Sequence, residues 1–158
     1  MFVRHAILAA ALLSTVPLPA AADSGATGAL NVPANRIVGL WSTVGDVGPC
    51  GGSPAIHVTN NLLFHAGGTL TENIQPTTVR NQGLGTWSYD SKTTGWQLHL
   101  RFDRFDSDVY AGYTTVDREL WMSPDGLELT GEVRATFYGV DGSVALELCG
   151  EATSTRIY

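Results

Sequence analysis

The sequence predicts an all-β domain: a closed, eight-stranded, antiparallel up-and-down barrel. Three observations carry this. From Arg36 onward the chain falls into eight segments in which apolar and polar residues alternate, the period-two pattern of strands with one dry face. Turn residues separate the segments, and most connections are short. No segment sustains a 3.6-residue period, so no helix is available to cover the dry face. Closing the sheet on itself covers that face and removes the exposed edges together.

Taken in order, the chain opens with Arg4, an apolar run from Ala6 to Val16, and small residues through Ala22. That is the pattern of a secretory signal cleaved after Ala22, and its apolar run is far shorter than the ~20 residues a membrane span needs. No cysteine stands at its end for lipid attachment. Cleavage leaves 136 of the 158 residues, one domain in size, with 8 Lys and Arg against 15 Asp and Glu. A mature balance of −7 with a single lysine, Lys92, argues against nucleic-acid or anionic-membrane partners, which need clustered cations. The expected location is secreted or periplasmic, with no membrane span. Residues 23–35 are small, polar and broken by Gly and Pro. They read as a flexible N-terminal segment ahead of a barrel domain spanning 36–158.

The first strand spans about Arg36 to Val44, with Ile37, Gly39, Trp41 and Thr43 on one face. A Gly- and Pro-rich loop holding Cys50 follows. The second, about Ala55 to His65, turns Ile56, Val58, Asn60, Leu62 and Phe64 inward. Paired glycines at 67 and 68 then make a hairpin, because they accept positive φ. The third carries Leu70, Glu72 and Ile74 inward, and after a loop around Pro76 to Gly83 the fourth supplies Trp87 and Tyr89. Asp90 to Thr94 turns into the fifth, with Trp96, Leu98, Leu100 and Phe102 in, and Gln97, His99, Arg101 and Asp103 out. The sixth is long, about Val109 to Met122, with Val116, Arg118, Leu120 and Met122 inward. Ser123-Pro124-Asp125-Gly126 is a turn in which proline presets one φ and glycine supplies another. The seventh puts Leu127, Leu129, Gly131, Val133, Ala135 and Phe137 inside and Glu128, Thr130, Glu132, Arg134 and Thr136 outside. Asp141-Gly142 leads to the eighth, with Val144, Leu146, Leu148, Gly150, Ala152, Ser154 and Arg156 on its inner face.

Two cysteines, Cys50 and Cys149, pair by default in an oxidising compartment. One follows the first strand and the other lies on the last, which are neighbours in a closed meander. The bridge would clamp the seam.

With Gly39-Leu40-Trp41 at its head, an eight-strand meander and Arg156 at its end, the chain resembles the calycin superfamily of lipocalins, fatty-acid-binding proteins and avidins. The resemblance implies that Trp41 packs under Arg156 and closes one end of the barrel, a cation over an indole face. A second lipocalin motif of the Thr-Asp-Tyr type is missing, with Tyr113-Thr114-Thr115 a poor stand-in. The family's C-terminal helix and the polar ligand positions of avidins are also missing.

Candidate chemistry is sparse. Glu72 and Arg118 fall inside the barrel, where a lone charge is costly, so they should pair or hold a polar ligand group such as a carboxylate. With Trp87, Tyr89, Trp96 and Phe102 they form the candidate ligand-binding set, although such aromatics could equally fill the core. His57, His65 and His99 face outward at no metal-binding spacing. Asp103, Asp106 and Asp108, in the turn after the fifth strand, lack the glycine and bidentate glutamate of a calcium loop. Glu128 and Glu132 point outward and form no glycosidase pair. No catalytic motif, metal site or cofactor is indicated.

Three functional classes follow. The first is an exported binding protein holding an apolar or amphipathic small molecule in the barrel. The second is a periplasmic inhibitor or protein-interaction module acting through residues 23–35 and the Cys50 loop on an exported protein partner. The third is a barrel-mouth cyclase- or isomerase-like enzyme using Glu72, Arg118 and Tyr89. Oligomeric state stays open, with outward-facing Trp121, Tyr113 and Tyr138 available for a dimer contact.

Overall fold

Eight strands form one closed antiparallel sheet in sequence order. They are β1 (Gly39–Pro49), β2 (Ile56–Phe64), β3 (Thr69–Asn73), β4 (Gly83–Asp90), β5 (Gly95–Asp106), β6 (Val109–Met122), β7 (Glu128–Tyr138) and β8 (Val144–Arg156), and β8 pairs back onto β1. This computed structural model describes residues 32–54, 56–74 and 79–158. The expected signal sequence, most of the expected N-terminal segment, and Pro76 in the β3–β4 connection lie outside the described residues.

The first departure from the sequence reading comes at the chain's entrance to the barrel. Arg36–Val38 were expected to begin a strand, but Pro33–Ile37 form a 3₁₀ helix, and β1 starts only at Gly39. Proline in the first turn presets a helical φ, and Ile37 is completely buried against the core. Two indoles fasten the helix from below: Trp41 Nε1 donates to the Ile37 carbonyl and Trp96 Nε1 to that of Ala34, both at 2.8 Å. Pro33–Asn35, from the segment expected to pack little, share this helix with Ile37, which plugs the closed end as its inward position predicts.

Gly39 makes the transition possible. Its φ is +138°, and a Cβ there would lie 2.5 Å from the carbonyl oxygen of Tyr158. That approach lets Leu40 N–H donate to Tyr158 O at 3.0 Å, while Ile157 N–H donates to Leu40 O at 2.8 Å. Beside it Trp41 faces Arg156 across the β1–β8 ladder, with the guanidinium carbon 4.2 Å from the indole centroid. Arg156 also donates from Nε to Gly126 O and from Nη1 to Val38 O, each at 3.0 Å, and from Nη2 to Arg36 O. The contact implied by the calycin resemblance is present, and the hydrogen bonds of Arg156 reach into three further stretches of chain. Higher on the same seam, Thr43 Oγ1 and Ser154 Oγ share a 2.7 Å hydrogen bond. Cys50 and Cys149 close it with a disulfide between residues 99 apart in sequence.

The interior is layered. Ile37, Trp41, Leu62, Phe64, Leu70, Trp87, Trp96, Leu98, Leu100, Leu120 and Leu129 fill the lower half. A separate cluster of Val47, Ala135 and Leu148, flanked by Val58, Val116, Val133 and Phe137, lines the upper half. Polar residues are also buried in the interior, among them Thr43, Glu72, Thr114, Arg118 and Ser154. At the open end Val144 and Leu146, expected inside, are exposed at 59% and 42%, because β8 begins there with nothing above it. Leu127, also expected inside, sits in the turn before β7 and is exposed, whereas Thr136, expected outside, is buried. Asp103 lies within β5 rather than in the turn after it. That turn is made by Ser107 and Asp108, both in the left-handed region with φ of 50° and 66°.

Candidate functional site

Above the lower core the barrel encloses a cavity of about 670 Å³ that opens at the end opposite the 3₁₀ helix. The sequence builds it by placing unlike side chains at successive inward positions. On β2, Asn60 follows Val58 and precedes Leu62. On β3, Glu72 follows Leu70. On β6, Thr114, Val116 and Arg118 alternate inward. Val47, Val58, Phe105, Ala111, Phe137 and Leu148 make the wall toward the mouth.

The polar set is anchored on Glu72. One carboxylate oxygen accepts from Arg80 Nη1 at 2.8 Å, with both side chains almost wholly buried, and the other accepts from Asn60 Nδ2. Arg80 stands over the Phe102 ring, its guanidinium carbon 3.8 Å from the ring centroid. Arg118 has no such partner. It is 6% exposed and donates from Nη2 to the Ala152 carbonyl at 3.2 Å, and among the described residues no carboxylate stands within ion-pair distance. Burial lowers its pKa to about 10, and the charge of Glu72 offsets only part of that; at neutral pH it remains a cation. Nearer the mouth, Arg104 donates to Tyr138 O and stands 5.1 Å from the Phe137 ring centroid.

Among the described residues, four buried side-chain atoms have no hydrogen-bond partner: Arg118 Nε, Asn60 Oδ1, Thr114 Oγ1 and Arg104 Nε. All four residues line this cavity. Leaving a buried polar group unmatched costs about 1–3 kcal/mol, and these four atoms have almost no accessible surface of their own. The cavity thus sets polar side chains and the charge of Arg118 beneath an apolar wall.

Of the expected ligand-binding residues, the structure brings Glu72, Arg118 and Phe102 together on the cavity. Trp87, Trp96 and Tyr89 are not there. They belong to the lower core, where Trp87 Nε1 donates to the carbonyls of His65 and Thr69, and Tyr89 packs on Trp96 with ring centroids 5.1 Å apart. Glu72, Arg118 and Tyr89, grouped as a possible catalytic set, therefore do not converge. Arg80, Asn60, Thr114 and Arg104 had not been singled out. Asn60 and Thr114 share the inward parity of their strands, which a search for buried polar positions could have used. Arg80 carries no such signal, because it lies in the β3–β4 connection, outside the eight strands, where it forms an isolated bridge with Arg104.

The remaining candidates lie on the outside. His57 Nδ1 meets Asp46 at 2.9 Å, His99 Nδ1 meets Asp117 at 2.7 Å, and His65 Nε2 meets the Thr71 hydroxyl at 3.1 Å, all exposed. Glu128 and Glu132 are exposed. Among the described residues no group of three or more His, Cys, Asp or Glu could hold a metal ion, and no helix is long and apolar enough to cross a membrane. The outer wall also carries a broad, open depression lined by polar residues such as Gln97, Asp117, Glu119 and Glu132. It is a solvated surface without the enclosure that ligand sites use. No protein-family model matches the chain, and no curated protein is similar to it in sequence.

Proposed function

We propose that this is an exported binding protein of calycin-like type that holds an amphipathic small molecule inside its barrel. The observation that carries the reading is the cavity of about 670 Å³, polar at its Asn60–Glu72–Arg118 layer, apolar in its walls and open at one end. That volume falls within the range of pockets that enclose small ligands, about 300–1,000 Å³. The Cys50–Cys149 disulfide supports an oxidising, extracytoplasmic setting, in keeping with the signal-like first 22 residues.

The test is displacement of a fluorescent apolar probe by medium-chain amphiphiles, read beside intrinsic tryptophan emission. Saturable, stoichiometric binding is expected. Ala135, on the cavity wall, provides the control: Ala135→Trp fills the space and should abolish binding while circular dichroism and cooperative unfolding persist. Unchanged binding in a folded Ala135→Trp variant would place the ligand elsewhere and end this reading.

A further inference from the structure

The chain has five tyrosines, and among the described residues only two of them stack on each other. Tyr89 packs on Trp96 at the lower core, Tyr110 meets Phe105 edge-on, and Tyr158, beyond β8, is 85% exposed. Tyr113 and Tyr138 stand directly opposite each other on β6 and β7, on the outer wall. Their ring centroids lie 4.5 Å apart with planes 14° from parallel, so the two phenols meet face to face.

The stack is held from its surroundings. Arg101, on β5, places its guanidinium carbon 3.9 Å from the Tyr113 centroid, and Asp103 accepts from that guanidinium at 3.3 Å. Tyr113 thus lies between a cation on one neighbouring strand and a phenol on the other. On β7, Arg104 Nη2 donates to the Tyr138 carbonyl at 2.6 Å and fixes the backbone from which that ring projects. Both tyrosines are half-buried, held by neighbours yet open to a small oxidant. No free thiol is present to reduce a tyrosyl radical, because Cys50 and Cys149 are joined. The disulfide also supports a setting in which oxidation is expected.

We infer that Tyr113 and Tyr138 form a modification site, at which hydrogen peroxide and a haem peroxidase couple the two rings into an intramolecular dityrosine. Each phenol gives up one electron and its hydroxyl proton, and one peroxide takes up both pairs to become two waters. The unpaired electron of a tyrosyl radical resides on the oxygen and on the ring carbons ortho and para to it. The para carbon carries the side chain, so the new carbon–carbon bond forms between two ortho carbons. The hydrogen on each of those carbons then moves to the oxygen and restores both phenols. A partner ring already in contact gives this coupling the advantage of proximity over any encounter between two molecules. The product ties β6 to β7, a covalent staple on a different ladder from the β1–β8 seam that the disulfide closes.

The experiment adds hydrogen peroxide and a haem peroxidase to dilute purified protein and reads dityrosine fluorescence in the monomer band after denaturing electrophoresis. The wild type should gain the signal. Tyr113→Phe and Tyr138→Phe, which keep the ring and remove the hydroxyl, should each lose it, whereas Tyr110→Phe and Tyr158→Phe should retain it. Tryptic digestion of the oxidised monomer should release the peptides bearing Tyr113 and Tyr138 joined together, lighter than their sum by two hydrogens. If a phenylalanine variant does not fold, the peptide map of the wild type decides alone. A wild-type monomer without the signal, a signal that survives in both Tyr113→Phe and Tyr138→Phe, or a link that maps to Tyr110 or Tyr158 overturns the inference.

Discussion

Arg156 and Glu72 show how one charged side chain can hold distant parts of a barrel together. Arg156 covers the Trp41 ring and donates to carbonyls of Arg36, Val38 and Gly126, which belong to the 3₁₀ helix, the approach to β1 and the β6–β7 turn. Its pKa is lowered by burial first and by the nearby charge of Arg36 second, so the contacts outweigh an electrostatic cost. Arg156→Met, keeping the apolar stem and losing every donor, should destabilise the fold by roughly 3 kcal/mol, the scale of a cation–π contact plus hydrogen bonds from a charged group, read from the urea midpoint. Arg156→Lys should recover only part of this, because an ammonium cannot spread donors over three segments. Glu72 tests the opposite situation, a fully buried ion pair. Glu72→Gln leaves Arg80 charged and unmatched inside the barrel, and the expected loss is ~3–5 kcal/mol by the same denaturation measurement.

At the scale of elements, the seam between β1 and β8 concentrates the constraints: the Gly39 approach to Tyr158, the Thr43–Ser154 hydrogen bond and the disulfide. Replacing both cysteines by serine should cost up to ~4–5 kcal/mol, the chain-entropy value for a loop near 100 residues, while leaving the strand content in circular dichroism intact. Two turns carry a pH signature of their own. Asp125 accepts from Ser123 Oγ and Leu127 N–H, and Asp141 from Ser143 Oγ and N–H, and these bonds hold both carboxylates below the usual aspartate range. With folded pKa values below the unfolded ones, their contribution is present above the unfolded pKa and fades as pH falls through the folded pKa. Ser123→Ala should therefore raise the Asp125 titration midpoint, followed by NMR of its carboxyl carbon, and flatten the acid limb of the stability curve.

Alternation made these elements legible, with a definite limit. Parity along a strand tells which face a side chain takes, and it placed Glu72, Arg118, Trp41 and Trp87 inside. Height along the barrel axis depends on how each strand is staggered against the next, which parity does not encode. For that reason alternation leaves ligand wall and core both open for Trp87 and Trp96, and it is the stagger of the strands that sets them in the lower core. Arg80 escaped notice because its connection has no alternation to read. The Pro33–Ile37 helix was missed because five residues are too few to display a helical period.

Considered whole, the molecule is polar outside and divided inside. Glu132 pairs with Glu151 across β7–β8, and Glu151 with Asp46 across β1–β8, an outward row of like charges and the reverse of the apolar band that a membrane barrel presents to lipid. Like charges set directly opposite oppose sheet pairing by up to ~1 kcal/mol. Glu151→Thr, which relieves both contacts at once, should raise the melting temperature, and added salt should raise that of the wild type more than that of the variant.

The position of the seam sets the order in which this barrel can be made. Thr43 finds its hydrogen-bond partner 111 residues later, and β1 has no neighbour on its outer edge until β8 is in place. While the chain is emerging, β1 to β7 can at most form an open sheet with two raw edges, those of β1 and β7. Closure, burial of Trp41 beneath Arg156 and formation of the disulfide are all deferred to the last step. The disulfide belongs to that last step, so the barrel is locked only once its final strand is in place.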